Sequence, residues 1–470
     1  MRYISTRGEA PPQTFTDVLL AGLAPDGGLY VPERWPGLSA EEIAGLAGRS
    51  YVDVAARVIA PFVGDAFSPD DLRGTLAKAY AGFAHPSVAP LRQVDDNLFS
   101  LELFHGPTLA FKDLAMQWLG QIMNRALREK GRRATIVGAT SGDTGAAAIE
   151  AFRGLDSVDV FILYPHGRVS DVQRRQMTGV ADANVHVIAL EGTFDDAQAI
   201  LKKLFRDARF RDDLGLAGVN SINWARVLAQ VVYYFTAAVS LGAPHREISF
   251  AVPTGNFGDI FAAWIAKQMG LPIARLVIAT NENDILARTL ETGRYEVRGV
   301  TPTSSPSMDI QVSSNFERLL FDAGGRDAAA VRRMMASLDQ ARAFTIDPPT
   351  LAAIRADFDA ERVSEAETAS EIAQTWREAR ILIDPHTAVG MRAATRVLHR
   401  NPGVPVVVAA TAHPTKFPDA VTAATGQHPS LPAHLADLLE RKERYDVLPN
   451  DIGAIERFIR ERARAAASAR

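Results

Sequence analysis

Ala134-Thr135-Ile136-Val137-Gly138, followed by Ala139 and then Thr140-Ser141-Gly142-Asp143-Thr144-Gly145, is the stretch whose reading decides the fold class. The first five residues are small or β-branched and carry no charge, which predicts a short buried strand. The hydroxyl and glycine residues after it form a loop, and the alanine-rich run beyond predicts a helix. The same unit recurs in both directions. Upstream, Leu114, Trp118, Leu119, Ile122, Met123, Ala126 and Leu127 have helical spacing, and Lys130-Gly131 closes a helix over 113–130 with a basic last turn and a capping glycine. Downstream, strands are predicted at 158–164, 185–190, 248–252, 276–279 and 405–410. Helices are predicted at 170–177, 194–208 and 224–240, and another opens at 255–259. Such alternation predicts an α/β protein with parallel sheets flanked by helices. Residues 1–95 read as a mostly helical extension, with helical patterns at 16–23 and 40–84. Residues 291–312 are rich in Ser, Thr and Pro and read as a loop near the active site, residues 313–380 as several helices, and the tail as helical.

Composition narrows the function classes. With 47% hydrophobic and 23% charged residues in 470, the chain is of ordinary globular type, long enough for two or three domains. A net charge of −4, from 51 basic and 55 acidic residues, makes no electrostatic case for nucleic acid or an anionic membrane. The absence of cysteine excludes disulfides, thiolate nucleophiles, Cys-ligated zinc and iron–sulfur clusters. The first eight residues lack the apolar core of a signal peptide, and no apolar run approaches the ~20 residues of a membrane span. The expected compartment is the cytoplasm. Monomer and homodimer both remain open. The basic, alanine-rich end from Arg457 reads as a solvated helix end rather than a binding tail.

Ligands of parallel sheets gather at loops beyond the carboxyl ends of strands, and the candidate chemistry lies in such loops. Leu103-Phe104-His105-Gly106-Pro107-Thr108-Leu109-Ala110-Phe111-Lys112-Asp113 brings a lysine to the mouth of a helix, beside Leu109 and Phe111. Desolvation there lowers a lysine pKa and frees the amine as nucleophile or base. The plainer reading lays its stem on apolar surface with its head in water. Gly255-Asn256-Phe257-Gly258-Asp259 lies between a strand and a helix, where small residues let successive N–H groups face one anion. It is no Walker loop, and an ordinary turn explains it equally. Residues 140–145 could hold an anion through N–H and O–H together, or simply cap the helix through Ser141 or Asp143. Asn220-Ser221-Ile222-Asn223-Trp224-Ala225-Arg226 is a third polar helix entry, in which Arg226 either meets an anion or pairs with a carboxylate. Anion cups plus a desolvated lysine suggest pyridoxal phosphate, held as an imine by Lys112.

These loops carry a close resemblance. With Asp26-Gly27-Gly28-Leu29-Tyr30-Val31-Pro32, Pro253-Thr254, Ala279-Thr280-Asn281-Glu282-Asn283-Asp284 and Thr411-Ala412-His413-Pro414-Thr415-Lys416-Phe417, they resemble the threonine synthase family along essentially the whole chain. That family consists of pyridoxal-phosphate enzymes of fold type II, the tryptophan-synthase-β class. The similarity is to the longer fungal and proteobacterial branch. The resemblance implies conversion of O-phospho-L-homoserine and water to L-threonine and phosphate. A phospholyase that stops after elimination, or a non-catalytic binding relative, is the alternative.

Carried over, Lys112 resembles the lysine that binds the cofactor. Gly255, Asn256, Phe257 and Gly258 resemble the cofactor-phosphate loop, and Thr411 the partner of the pyridine nitrogen. Thr140, Ser141, Asp143 and Thr144 match the loop that grips the substrate carboxylate, with Asp143 also beside the cofactor. Asn220, Ser221 and Arg226 match the group that reads the substrate phosphate. Most fold type II enzymes place Asn beside the cofactor's phenolic oxygen, where this chain has Asp143. A carboxylate there repels a phenolate, so Asp143 is expected to be protonated or turned away. The implied domains are the extension 1–95, a large cofactor-binding domain of 96–130 plus 241–470, and a small mobile substrate domain over 131–240.

Overall fold

The computed structural model describes residues 1–140 and 142–464. Two sheets organise it. The larger runs in the order Phe358–Arg362, Ile273–Thr280, Ile248–Pro253, Val406–Ala410, Leu98–Glu102, Leu91–Asp95, parallel throughout except for the last, antiparallel strand. The smaller is fully parallel, in the order Asp446–Pro449, Val185–Glu191, Val158–Pro165, Ala134–Ala139, Leu216–Ala217. Central strands such as Val158–Pro165 and Ile248–Pro253 are buried at every position, as sheets covered on both faces require. The predicted α/β class and its central strands are therefore present.

Sheet edges differ from the sequence reading. Residues 313–380 hold not only helices but the strand Phe358–Arg362, which extends the larger sheet. The tail is not only helical: Asp446–Pro449 pairs with Val185–Glu191, and Ile455, Phe458 and Ile459 of the following helix pack beneath the smaller sheet with Val137, Phe161 and Leu163. The assignment of all of 241–470 to the large domain is corrected accordingly, because the end of the chain builds the smaller sheet. These two strands, like Leu216–Ala217, which the sequence reading also missed, sit at sheet edges, where one row of backbone groups and part of the side chains face water. Their charged residues (Asp359, Glu361, Arg362, Asp446) hide the apolar signal.

The helices between the sheets position the functional loops. Lys112–Glu129 packs against Asp143–Phe152 and Trp224–Ser240. The first crossing is so close that a Cβ on Gly120 would lie 2.2 Å from the carbonyl oxygen of Ala151, so only glycine fits. Trp224 is fully buried against Tyr3, Trp35 and Phe62, which fastens the N-terminal extension to the helix that carries Arg226. Among the described residues no helix is long and apolar enough to cross a membrane.

One acid is buried between these helices. Asp259, in the first turn of helix Gly258–Gln268, accepts hydrogen bonds on Oδ1 from Tyr234 Oη at 2.6 Å and from Tyr233 Oη. Its Oδ2 has no partner among the described residues. Burial pushes the carboxyl up to about 6, against the two tyrosine bonds that favour the anion. A raised folded-state pKa contributes stability that is complete below the unfolded value near ~4 and is lost as pH rises through about 6. In the cofactor-free protein, the stability of wild type relative to Asp259→Asn should therefore fall between pH 4 and 7 by up to about 3 kcal/mol. Denaturant unfolding across that range checks it, and a pH-independent difference would contradict it.

Candidate active site

The functional loops converge on a cavity of about 930 Å³ between the two sheets. It is lined by Lys112, Thr140, Asp143, Thr144, Asn220, Ser221, Arg226, the segment 253–260, and Thr411. The sequence-derived site residues among those described are thus brought together in one cavity. Ser141 lies outside the described residues.

Lys112 opens its helix at the floor of the cavity. The turn before it is set by Asp113, whose carboxylate accepts from Thr108 N at 2.8 Å and Thr108 Oγ1 at 2.6 Å. Gly106 is required there, since a Cβ would lie 2.5 Å from the Asp113 side chain. The neighbouring backbone is clamped across the larger sheet: Phe111 N–H donates to Thr411 O at 2.8 Å and His413 N–H to Leu109 O at 3.0 Å. The Lys112 side chain is buried, with Nζ 4.8 Å from the centroid of the Phe111 ring and 3.4 Å from Asp143 Oδ2. Burial lowers its pKa, and the cations Lys416 and Arg226 act in the same direction against the Asp143 carboxylate. A water-exposed head, the plainer sequence reading, is ruled out.

Asp143 stands between two lysines and an amide. Its Oδ1 meets Lys416 Nζ at 3.0 Å and accepts from Gln173 Nε2 at 3.0 Å, while Oδ2 faces Lys112. Burial alone would raise this carboxyl, but Lys416, Lys112 and the Gln173 amide outweigh it and hold the group well below the usual carboxylate range. Asp143 does not cap its helix. The loop is closed by Thr140, whose Oγ1 accepts from Gly142 N at 2.9 Å and Gly145 N at 3.0 Å. The Oγ1 lone pairs of Thr140 are used within the loop, and its hydroxyl proton stays free to meet an acceptor such as a carboxylate.

Residues 255–258 form a cup at the start of helix Gly258–Gln268. Its carbonyls are turned outward: Ser313 Oγ donates to Gly255 O at 2.6 Å and Asn315 Nδ2 to Asn256 O at 2.9 Å. The N–H groups of these four residues meet no acceptor among the described residues. Phe257 takes the left-handed conformation, φ 65°, and buries its ring against Phe316 and Phe358. It contributes backbone, not side chain, to the cup. Gly255 leaves no room for a Cβ, which would lie 2.8 Å from Ser307 O. Unpaired N–H groups at a helix N-terminus fit a phosphate. With the buried Lys112 amine and the Thr411 hydroxyl, which has no partner among the described residues, this cavity suits pyridoxal phosphate.

Arg226 pairs with no carboxylate among the described residues, so that alternative is ruled out. Its Nη1 donates to Val219 O at 2.7 Å, while Nε is buried without an acceptor. Burial lowers its pKa to about 10. The Ser/Thr/Pro loop expected near the site does line it, and is well tied. Asn281 Nδ2 donates to Thr303 Oγ1 and Asp309 Oδ1, both at 2.8 Å, and Ser307 N–H donates to His386 Nε2 at 3.2 Å.

Sequence reasoning missed Lys416, Gln173, Asn315 and Arg318. Lys416 stands in the quoted stretch 411–417, but nothing in its neighbours announced a fully buried ammonium. Arg318 donates from Nε to Tyr30 O at 2.9 Å and from Nη2 to Ile222 O at 2.7 Å, and it also bonds Asn315. It thereby ties the segment 26–32 and the loop 220–223 to the cup.

Comparison with known proteins agrees with this geometry. Residues 2–80 match the family model "Threonine synthase N terminus", residues 85–356 "Pyridoxal-phosphate dependent enzyme", and residues 387–459 "Threonine synthase, C-terminal". The chain is 53% identical to the threonine synthase of Pseudomonas aeruginosa, over 98% of both chains. The crystal structure of pyridoxal-phosphate-bound threonine synthase from Brucella melitensis superposes with a TM-score of 0.96 at 58% identity, covering 99% of this chain and 100% of that one. The yeast threonine synthase structure superposes at 0.93, with 38% identity and 98% of both chains covered. This chain belongs to the threonine synthase family of fold type II pyridoxal-phosphate enzymes.

Proposed function

We propose that the chain converts O-phospho-L-homoserine and water to L-threonine and phosphate, with the cavity residues in the following parts. The observation that carries this reading is one cavity holding a buried amine, Lys112, a cup of unpaired N–H groups at 255–258, and a second buried cation, Arg226, without a counter-ion. One anion site serves the cofactor phosphate and the other the substrate phosphate. Residues 255–258 hold the first. Thr411 donates its hydroxyl proton to the ring nitrogen, which a neutral donor leaves unprotonated. Lys112 bonds the cofactor's aldehyde carbon when no substrate is present. Bound pyridoxal phosphate supplies the electron sink that makes the substrate Cα–H acidic.

The remaining work belongs to the chain. The Lys112 amine, once released, removes the Cα proton and later returns it, which requires a pKa near working pH. Burial and the neighbouring cations move it that way. Arg226, with Asn220 and Ser221, orients the substrate phosphate, so that the Cγ–O bond breaks toward a fixed cation and the leaving group stays bound. Thr144 and the loop around Thr140 and Ser141 take the substrate carboxylate. A proton is lost from Cβ as the phosphate leaves, one is gained at Cγ, and water then adds its hydroxyl at Cβ while its other proton passes to the departing phosphate. Closure of the unit built on the smaller sheet, 131–240 with the end of the chain, over the cavity limits solvent to that one molecule. The rim supports this: Leu23, Phe194 and Val300 are exposed apolar residues on different walls of the cavity.

Product analysis with O-phosphohomoserine tests the reading. Threonine and phosphate should appear in equal amounts, whereas 2-oxobutanoate would indicate elimination without water addition. Lys112→Ala should fold normally, lose borohydride fixation of the cofactor and retain less than about a thousandth of the turnover, the scale of losing a nucleophile and a proton shuttle together. Arg226→Ala should weaken substrate binding by about 1.5–3 kcal/mol, with unchanged cofactor content, and Lys should not replace it well. Loss of cofactor from Arg226→Ala at unaltered substrate affinity would mean that the two anion sites have been exchanged.

A further inference from the structure

Two lysines share the Asp143 carboxylate, and they differ in one respect. Lys416 Nζ is fully buried and donates to Thr108 O at 2.6 Å, to Gln176 Oε1 at 2.9 Å and to Asp143 Oδ1 at 3.0 Å. An ammonium has three N–H groups, and here each has its acceptor. Giving up a proton would cost Lys416 one of these bonds: Gln176 Oε1 has no other donor among the described residues, whereas Thr108 O keeps Gln176 Nε2 and Asp143 Oδ1 keeps Gln173 Nε2. Lys112 makes one long contact, 3.4 Å, to the other oxygen of the same carboxylate. Geometry therefore divides the pair into a fixed cation and a free amine.

We propose that Lys416 is a positioning residue, the permanent counter-ion that keeps Asp143 ionised and in one orientation while the Lys112 amine gains and loses its proton. The proposal rests on the reading of Lys112 as the cofactor-bearing amine. Consider the site without Lys416. Each time the Lys112 nitrogen became neutral, Asp143 would be a buried carboxylate with no cation in contact, and it would take up a proton itself. The two groups would then titrate as one coupled pair instead of Lys112 titrating alone. The other groups facing them do not substitute. Gln173 is a neutral donor, Arg226 acts on Lys112 without contacting Asp143, Asp259 is an acid, and Asp113 is committed to Thr108. Lys416 also joins the two halves of the site, because it follows strand Val406–Ala410 of the larger sheet while Asp143 follows strand Ala134–Ala139 of the smaller. An Asn at position 143 would need no such cation. The Asp143–Lys416 pair occupies the place of a neutral amide.

The test is a variant cycle on the holoenzyme: Lys416→Met, Asp143→Asn and the double variant. Lys416→Met removes the cation and raises the pH at which Asp143 protonates. The acid limb of the kcat profile should move up by at least one pH unit, and the pH midpoint of the bound cofactor's visible absorbance should move with it. In the double variant no carboxylate remains to titrate, so both shifts should vanish and thermal stability should recover relative to Lys416→Met. Wild-type pH dependence in Lys416→Met, or the same displaced midpoint in the double variant, would overturn the proposal. If Lys416→Met does not fold, recovery of folding on adding Asp143→Asn supports the pair, and failure to recover overturns it. Borohydride fixation at Lys112 in wild type checks the underlying reading separately, since its loss would refute the cofactor assignment whatever Lys416 does.

Discussion

The site depends on a backbone clamp. Ala110 and Ala412 face each other in an antiparallel bridge, flanked by Phe111 N–H to Thr411 O and His413 N–H to Leu109 O. These bonds join segments about three hundred residues apart in sequence, beyond the ends of adjacent parallel strands, Leu98–Glu102 and Val406–Ala410. They set the origin of the Lys112 side chain against the hydroxyl of Thr411 and the ammonium of Lys416. Main-chain bonds do this more rigidly than side-chain contacts could, since no rotamer is free to change. Lys112, Thr411 and Lys416 are all placed by this one junction.

How much of this was legible in the sequence follows from the range of each interaction. The central strands, the helix after Lys112 and the cup at 255–258 are local patterns: apolar runs, helical spacing, glycines before a helix. The edge strands Phe358–Arg362 and Asp446–Pro449 carry charge on their outward positions, and only their neighbours identify them. In the site, the resemblance led to Lys112, Thr411 and Arg226, and the cavity contains all three. The state of Asp143 was beyond reach because it is decided by Lys416, hundreds of residues away, and by Gln173 on another helix. For Thr140 the loop was legible but not the use of its hydroxyl oxygen, which accepts from backbone N–H groups two and five residues on.

Strain marks both anchoring loops. Leu109 and Phe257 are non-glycine residues in the left-handed region, at φ 62° and 65°, one before the lysine and one inside the 255–258 cup. Such backbone costs on the order of 1 kcal/mol or more per residue and persists only where its surroundings over-determine it. Both side chains are almost completely buried, and burial of a Leu or Phe side chain contributes about 1.5–3 kcal/mol. A glycine would relax the backbone but forfeit the burial. The left-handed turn at Phe257 sends its ring into the core and starts the helix beneath the cup.

The same accounting extends to polar groups. Arg226 is buried with Nε unpartnered, the 255–258 N–H groups are unpaired, and Asp259 has an idle oxygen. Interiors ordinarily satisfy nearly all such groups, because each unmet one costs about 1–3 kcal/mol. At Arg226 Nε and the 255–258 N–H groups, the donors among them, the fold carries this penalty in advance of binding. Two phosphate-bearing ligands, each supplying several acceptor oxygens, would relieve it donor by donor. The buried Arg318, which binds Tyr30, Ile222 and Asn315, shows what holds the unrelieved donors in place until then. It spends its guanidinium on backbone carbonyls and a side-chain amide, and so makes the segment 26–32, the loop 220–223 and the cup one rigid frame. The two buried arginines differ in this respect: Arg318 has met acceptors from Nε, Nη1 and Nη2, whereas Arg226 donates from Nη1 to Val219 O and leaves Nε without an acceptor among the described residues.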